Sequence, residues 1–361
     1  MKYKLKDICT KITDGSHNPP QGISDSPYLM LSSKNIADDS ITYDNPRYLT
    51  EADFLLENKR TSIQEGDLLL TIVGTIGRVA VVSNIEKKLC LQRSVAVLKP
   101  KQDIVKSRYL MYYLQNMRPV LEAEAKGVAQ KGIYLKQVES IEVSVPSLSK
   151  QEEIVNNLDL VTKLLALQKM QLVHLDELVK SRFIELFGDP IRNTQNRPTT
   201  DFINVVKMQR GFDLPVQDRQ QDGDIPVFGS NGALDRHNVA KVQGGGVITG
   251  RSGTIGKVYY TEGDYWPLNT SLFSVDMHGN DIIYLAYLLQ LYDLSRFTEG
   301  TGVPTLNRNK FHDKPIIDVP LNEQEQYAVF VKQTDKSKLA VQQSIAELEE
   351  LKKSLMQKYF G

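Results

Sequence analysis

"QEEIVNNLDLVTKLLALQKMQLVHLDELVKSRFIELFG" occupies residues 151–188, and "QEQYAVFVKQTDKSKLAVQQSIAELEELKKSLMQKYFG" occupies 324–361. The two segments align without a gap. Both open on Gln-Glu and close on Phe-Gly, and about ten of the 38 pairs are identical. In the first, Ile154, Leu158, Val161, Leu165, Leu172, Leu175, Val179 and Leu186 recur at 3–4 spacing, which places them on one face of a helix. The second carries a patchier stripe of Val331, Val341, Ile345, Leu348, Leu351 and Leu355, interrupted by Lys338. Pro146 and Pro320 precede the two starts, and Gly188 and Gly361 follow the two ends, so the stop signals agree with the periodicity. Each segment therefore reads as a helix of roughly 55 Å. A lone helix of that length strands its apolar stripe in water. The expected partner is the other copy, packed antiparallel as a coiled coil, with the two Phe-Gly segments side by side in a paired shaft. Two unrelated amphipathic surface helices are the alternative.

The repetition extends outward from the helices. "GTIGRV" at 74–79 returns as "GTIGKV" at 253–258, each between β-branched or apolar runs, which predicts a glycine turn joining two strands. A phosphate-cradling loop is excluded because no Gly-Lys-Ser/Thr completes it. "QRSVAVLKP" (92–100) and "LNTSLFSVD" (268–276) alternate as strands. The Tyr/Leu-rich "SRYLMYYLQN" (107–116) and "IIYLAYLLQL" (282–291) read as short helices. The expected class is α+β: two similar globular α/β domains separated by two long antiparallel helices, an internal repeat with a pseudo-twofold axis. The expected bounds are 1–146 and 189–320 for the globes, and 147–188 and 321–361 for the helices.

Bulk properties narrow the functional classes. The formal net charge is zero, with 44 basic and 44 acidic residues, whereas a simple nucleic-acid binder usually carries a positive surplus. Residues 1–150 hold 21 basic against 17 acidic side chains, and 190–320 hold 13 against 14, so any grip on DNA must come from local patches or a partner. Cys9 and Cys90 read as free thiols of a reducing compartment. With neither a secretory segment nor a membrane-spanning run, a cytoplasmic location is expected.

Catalytic motifs are approached but not completed. "HNPPQ" (17–21) contains Asn-Pro-Pro, yet Gln21 stands where an amino-methylating enzyme needs an aromatic residue to stack a flipped base. Asp67, Glu86 and Lys88 satisfy a loose metal-nuclease pattern that scattered charges match by accident. His17, His174, His237, His278 and His312 show no metal-ligand spacing. No catalytic or metal-ligating residue is assigned.

The layout as a whole resembles the specificity subunit of type I restriction-modification systems. The resemblance covers essentially the full chain and rests on "LSSKNI" (31–36), "EGDLLLTIVGTIGRVAVV" (65–82), "IPVFGSNG" (225–232), "VITGRSGTIGKVYY" (247–260), "WPLNTSLFSVD" (266–276) and the two Pro…Gln-Glu helix starts. It implies a non-catalytic DNA reader in which each globe is a target recognition domain for one half of a bipartite double-stranded site. The helices would set the spacer and dock two methyltransferase subunits. Restriction subunits would translocate and cleave. This chain would hold no cofactor, with S-adenosylmethionine, ATP and Mg on the partners. The first globe has Thr-Ile-Val where the second has Gly-Arg-Ser before its glycine turn, so the two globes are expected to read different sequences.

Base edges are best read by Arg, Lys, Asn and Gln, and phosphates are held by Lys, Ser and Thr. The candidate DNA contacts are Lys34, Asn35, Arg60, Arg78, Arg93, Gln130 and Lys131 in the first globe. In the second they are Arg210, Ser230, Asn231, Arg251, Lys257, Asn269, Thr270 and Arg308. Two other classes stay open at this point: a coiled-coil scaffold with protein-binding globes, and a stand-alone enzyme acting on DNA.

Overall fold

The glycine phrase turns a β-hairpin in both halves of the chain. A computed structural model describes residues 1–83, 87–125, 131–300 and 304–361. In the first half, strands β1 (Cys9–Asp14), β2 (Leu68–Thr71), β3 (Val79–Val81) and β4 (Val95–Pro100) form an antiparallel sheet of order β1-β4-β2-β3. In the second, β5 (Lys207–Arg210), β6 (Gly246–Gly250), β7 (Val258–Thr261) and β8 (Ser271–Asp276) form β5-β8-β6-β7, the same order. The register repeats as well. Leu70 faces Val79 as Thr249 faces Val258, and Thr71 faces Val95 as Gly250 faces Ser271. Gly74 and Gly253 start the turns at φ +83° and +84°, a left-handed conformation that a residue with a Cβ adopts only under strain.

A second small sheet lies beside each first one. Tyr28–Leu31 pairs in parallel with Lys88–Leu91, as Ile225–Gly229 pairs with Trp266–Pro267. Leu68, Leu70, Ala96, Leu98 and Tyr109 are buried in the core of the first half. Val247, Leu272, Tyr284, Leu285 and Leu288 fill that of the second. The Tyr/Leu-rich segments are helices Ser107–Asn116 and Ile282–Tyr292, as their periodicity predicts.

The long helices run Leu148–Phe187 and Leu321–Phe360, 40 residues each. Two compact units result, one comprising 1–167 with 345–361 and the other 168–344. Each long helix thus contributes one part to each unit, a division different from the globe-and-helix bounds read from the sequence. The two long helices meet inside both units, and in unit 2 two contacts show that they run antiparallel. In unit 1, Asn157 donates to the Tyr359 hydroxyl at 3.0 Å. In unit 2, Lys338 meets Asp176 at 2.7 Å and the Tyr327 hydroxyl donates to the Val179 carbonyl at 3.2 Å. Lys338, which breaks the apolar stripe, therefore has an acidic partner on the facing helix.

The repeated helix termini are explained by what they touch. The glutamine of each Gln-Glu start is buried and fully bonded. Gln151 accepts from the Lys106 N–H at 2.8 Å and donates to the Ile104 and Pro146 carbonyls. Gln324 accepts from the Asp281 N–H at 2.9 Å and donates to Asn280 Oδ1 and the Val319 carbonyl. Each ties the start of a long helix to the start of a Tyr/Leu-rich helix. At the other end, Phe187 packs edge-on to Tyr284 at 5.2 Å in unit 2, and Phe360 packs edge-on to Tyr109 at 5.5 Å in unit 1. The two Phe-Gly segments therefore belong to different units. Antiparallel helices have their C-termini at opposite ends, so the two parts of that expectation were incompatible.

Candidate nucleic-acid interface

The strand-turn framework fixes a cleft next to the glycine turn in each unit. In unit 2, Arg210 ends β5 and faces Leu272 of β8. Arg251 directly follows β6. Its N–H donates to the Thr270 carbonyl at 2.9 Å and its Nη1 to the Asn269 carbonyl at 3.2 Å. The Leu306 N–H donates to the Arg251 carbonyl at 2.8 Å and brings Arg308 alongside. Arg210, Arg251 and Arg308 line one cleft with Thr305, Asn307 and Asn309. Among the described residues no carboxylate pairs with any of the three arginines, although neighbouring Lys310 meets Glu299 at 2.7 Å. The cleft is accordingly a focus of uncompensated positive charge. His312 registers the same field: burial, then Arg308 and Lys207, lower its pKa from the ordinary 6.5, and its Nε2 accepts from the Met208 N–H at 3.2 Å.

Unit 1 builds the corresponding cleft on the same backbone bonds. The Ile133 N–H donates to the Ile72 carbonyl at 2.9 Å, as Leu306 does to Arg251. The Arg93 N–H donates to Ser16 as the Asn269 N–H does to Phe212. Asp14 faces Ala96 where Arg210 faces Leu272. The lining here is Asp14, His17, Ile72, Arg93, Tyr134 and Leu135. Asp14 is buried and held by the Arg60 guanidinium and by His17 at 2.8 Å. The matching stations thus hold Asp14, Ile72 and Leu135 in one unit and Arg210, Arg251 and Arg308 in the other.

Just after the turn both units carry a base, Arg78 in unit 1 and Lys257 in unit 2. In unit 1, Arg78, Arg118 and Lys131 line a second cleft with Thr75 and Glu122. Arg118 pairs with Asp38 and donates to the Gly77 carbonyl at 3.1 Å. In unit 2, Lys257 donates to Asn231 Oδ1 at 3.3 Å, and Ser230 lies beside Gly253 as Ser33 lies beside Gly74.

The remaining candidates divide between open surface and internal structure. Lys34 and Arg93 are exposed. Asn35 is not on the surface. It is buried, accepts from the Ser32 N–H at 3.0 Å and donates to the Asp44 carbonyl at 2.9 Å, so its amide shapes a loop. Arg60 is engaged by Asp14, and Asn269 donates to Asp213. Thr270 is half-buried, and its carbonyl receives the Arg251 and Ser252 N–H groups. Gln130 lies outside the described residues. Arg118, Asn307 and Asn309 also line these clefts and are not among the residues expected from the sequence. The Asn-Arg-Asn run at 307–309 could have pointed to the last two, but nothing in the sequence near Arg118 marks it.

The near-motifs resolve as structure. Asp67 is buried against Lys99 at 2.5 Å and accepts from the Gln64 N–H, while Lys88 sits over the Tyr28 ring. Glu86 lies outside the described residues. The Pro19 and Pro20 carbonyls accept from Arg47. Among the described residues no group of His, Cys, Asp and Glu is placed to hold a metal ion, and no helix is long and apolar enough to cross a membrane.

Comparison with known proteins bears on this doubled framework. The family model described as "Type I restriction modification DNA specificity domain" matches residues 1–176 and 192–350, one copy per half. The chain belongs to this family. It is 33% identical over 106 residues to the type I restriction enzyme EcoBI specificity subunit of Escherichia coli, a match covering 29% of this chain and 22% of that protein. It is 25% identical over 130 residues to the putative type I restriction enzyme MjaX specificity subunit of Methanocaldococcus jannaschii, covering 36% and 30%. The matches thus span less than a third of either relative. Among solved structures, the S subunit of a type I restriction-modification system from M. genitalium superimposes with a TM-score of 0.63 at 14% identity, covering 100% of this chain and 96% of the other. A chain from a study of assembly and conformational transition in the type I system gives 0.62 at 14%, covering 100% and 97%. The shared feature is the fold.

Proposed function

We propose that this chain is the DNA-reading subunit of a type I restriction-modification complex. Each unit reads one half of a bipartite duplex site, and the long helices fix the gap and dock the methyltransferase subunits. The observation that carries this reading is the doubled cleft: one backbone framework, occurring twice, is furnished with different side chains. Such a design suits two heads that must bind the same kind of polymer while preferring different sequences. Backbone groups place the cleft, and side chains choose the bases. Methyl transfer, with S-adenosylmethionine, and cleavage, with ATP and Mg, belong to partner subunits in this reading, and this chain contributes no reacting group.

A helix of 40 residues rises roughly 60 Å, comparable with one and a half turns of duplex or somewhat more. Helix length then acts as a ruler. The test is to sequence methylated adenines in DNA from cells carrying the chain. The expected result is a motif of two fixed segments around an unspecified gap. Inserting four residues in the middle of one long helix should alter the gap, or abolish methylation, without altering either segment. A continuous motif, or a gap indifferent to the insertion, contradicts the reading.

A further inference from the structure

We propose that the cleft of Arg210, Arg251 and Arg308 is a guanine-reading station, so that a guanine is an essential base of the half-site bound by unit 2, with no such contact from the three matching positions of unit 1. This rests on the reading of the chain as a DNA-binding subunit and names what one of its heads selects. Three features support it. First, the three guanidiniums converge from separate places in the sequence into one cleft and lack carboxylate partners among the described residues, so their donors are available to a ligand. Second, Arg251 is half-buried and fixed through Nη1 to the Asn269 carbonyl at 3.2 Å, which sets the direction of its remaining N–H groups. A guanidinium held in that way presents parallel donors, and guanine alone among the bases offers two neighbouring acceptors, O6 and N7, in the major groove. Third, the same stations in unit 1 are Asp14, Ile72 and Leu135, with Asp14 already occupied by Arg60 and His17. Those three positions carry no guanidinium, and Arg93, which lines the unit 1 cleft, stands at the position of Asn269 instead, although the backbone around them is equivalent.

A backbone phosphate presents the same acceptor chemistry, and the experiment separates the two. A random-sequence duplex pool is selected on the full chain, together with any methyltransferase subunit that copurifies. The selection is repeated on a triple variant of unit 2, Arg210→Asp with Arg251→Ile and Arg308→Leu, and on Arg251→Lys alone. Melting curves of each variant confirm that unit 2 is folded. The expected result is that the triple variant loses one guanine preference in a single half-site while the other half-site is unchanged. Replacing that guanine by 7-deazaguanine in the motif selected by the unsubstituted chain should weaken its binding roughly tenfold or more. Arg251→Lys should keep the net charge yet relax the same position. A uniform loss of affinity in the triple variant with both half-sites intact, together with unchanged affinity and preference in Arg251→Lys, identifies a phosphate clamp and overturns the proposal. If the unsubstituted chain enriches no motif, the DNA-reading function itself fails. An enriched motif with no guanine lost in the triple variant overturns only the station.

Discussion

Asp14 in unit 1 and Arg210 in unit 2 occupy the same register of the same sheet, facing Ala96 and Leu272 respectively. One is a buried carboxylate satisfied by two neighbours, and the other is an exposed guanidinium with no carboxylate partner among the described residues. At the two other stations an apolar side chain, Ile72 or Leu135, stands where unit 2 has Arg251 or Arg308. The same backbone hydrogen bonds connect these positions in both units, so the framework accommodates a carboxylate, an apolar side chain or a guanidinium in the cleft. The residues that hold the fold are therefore largely distinct from those that line the clefts. Glycine turns, sheet register and buried glutamines hold the fold, while the cleft side chains are free to vary.

That separation can be broken most forcefully at the aromatic ends of the helices. Phe187 is fully buried among Phe183, Tyr284 and Tyr327, whereas Phe360 is only partly buried. Phe187→Ala should destabilise unit 2 by about 3–5 kcal/mol, and Phe360→Ala should cost unit 1 about half as much. Calorimetry that resolves two transitions checks the order, and equal shifts would deny the difference in packing.

Gln151→Ala and Gln324→Ala offer a symmetrical test. Each strips a buried side chain that makes three hydrogen bonds, leaving an amide N–H and two carbonyls without their partner. Each should cost about 2–3 kcal/mol, alike in the two units, measured by urea titration. A large loss in one unit alone would show that the repeat is not energetically equivalent.

The far side of the turn sharpens the comparison for binding. Arg78→Ala and Lys257→Ala should each weaken duplex binding a few-fold across all sequences and reduce the salt slope by about one, with melting unchanged. A change of base preference in either would move that residue into the reading group.

The smallest effect concerns acid. His312 has a lowered pKa in the folded chain, so the unfolded chain takes up its proton first as pH falls. Its contribution is fully present above the ordinary value of 6.5 and is lost as pH drops from there through the folded value. Unit 2 should soften slightly over that window, and His312→Gln should flatten the dependence in melts taken between neutral and mildly acidic pH.

Much of the fold was legible because it is written in short-range signals. The 3–4 spacing of the helices, the prolines and glycines at their ends and the twice-used glycine turn are all local. The clefts were less legible because they depend on pairing across distance. Arg210, Arg251 and Arg308 each stand out by residue type, but nothing in the chain says that they meet. Asp14 does not stand out, since "CTKITD" and "KMQR" share no motif and only sheet register equates them. Asn35 misled for the converse reason: a polar residue beside a lysine reads as surface, yet it is the buried tie of its loop.

The exchange of helical ends sets an order on biosynthesis. Unit 1 begins at residue 1 but includes 345–361, which leave the ribosome only after all of unit 2 has emerged. The domain that is started first is therefore completed last, and Tyr109 and Tyr113 wait for Phe360 throughout translation of the second half. A nascent chain stalled before that point would carry a finished second head and an unsealed first one.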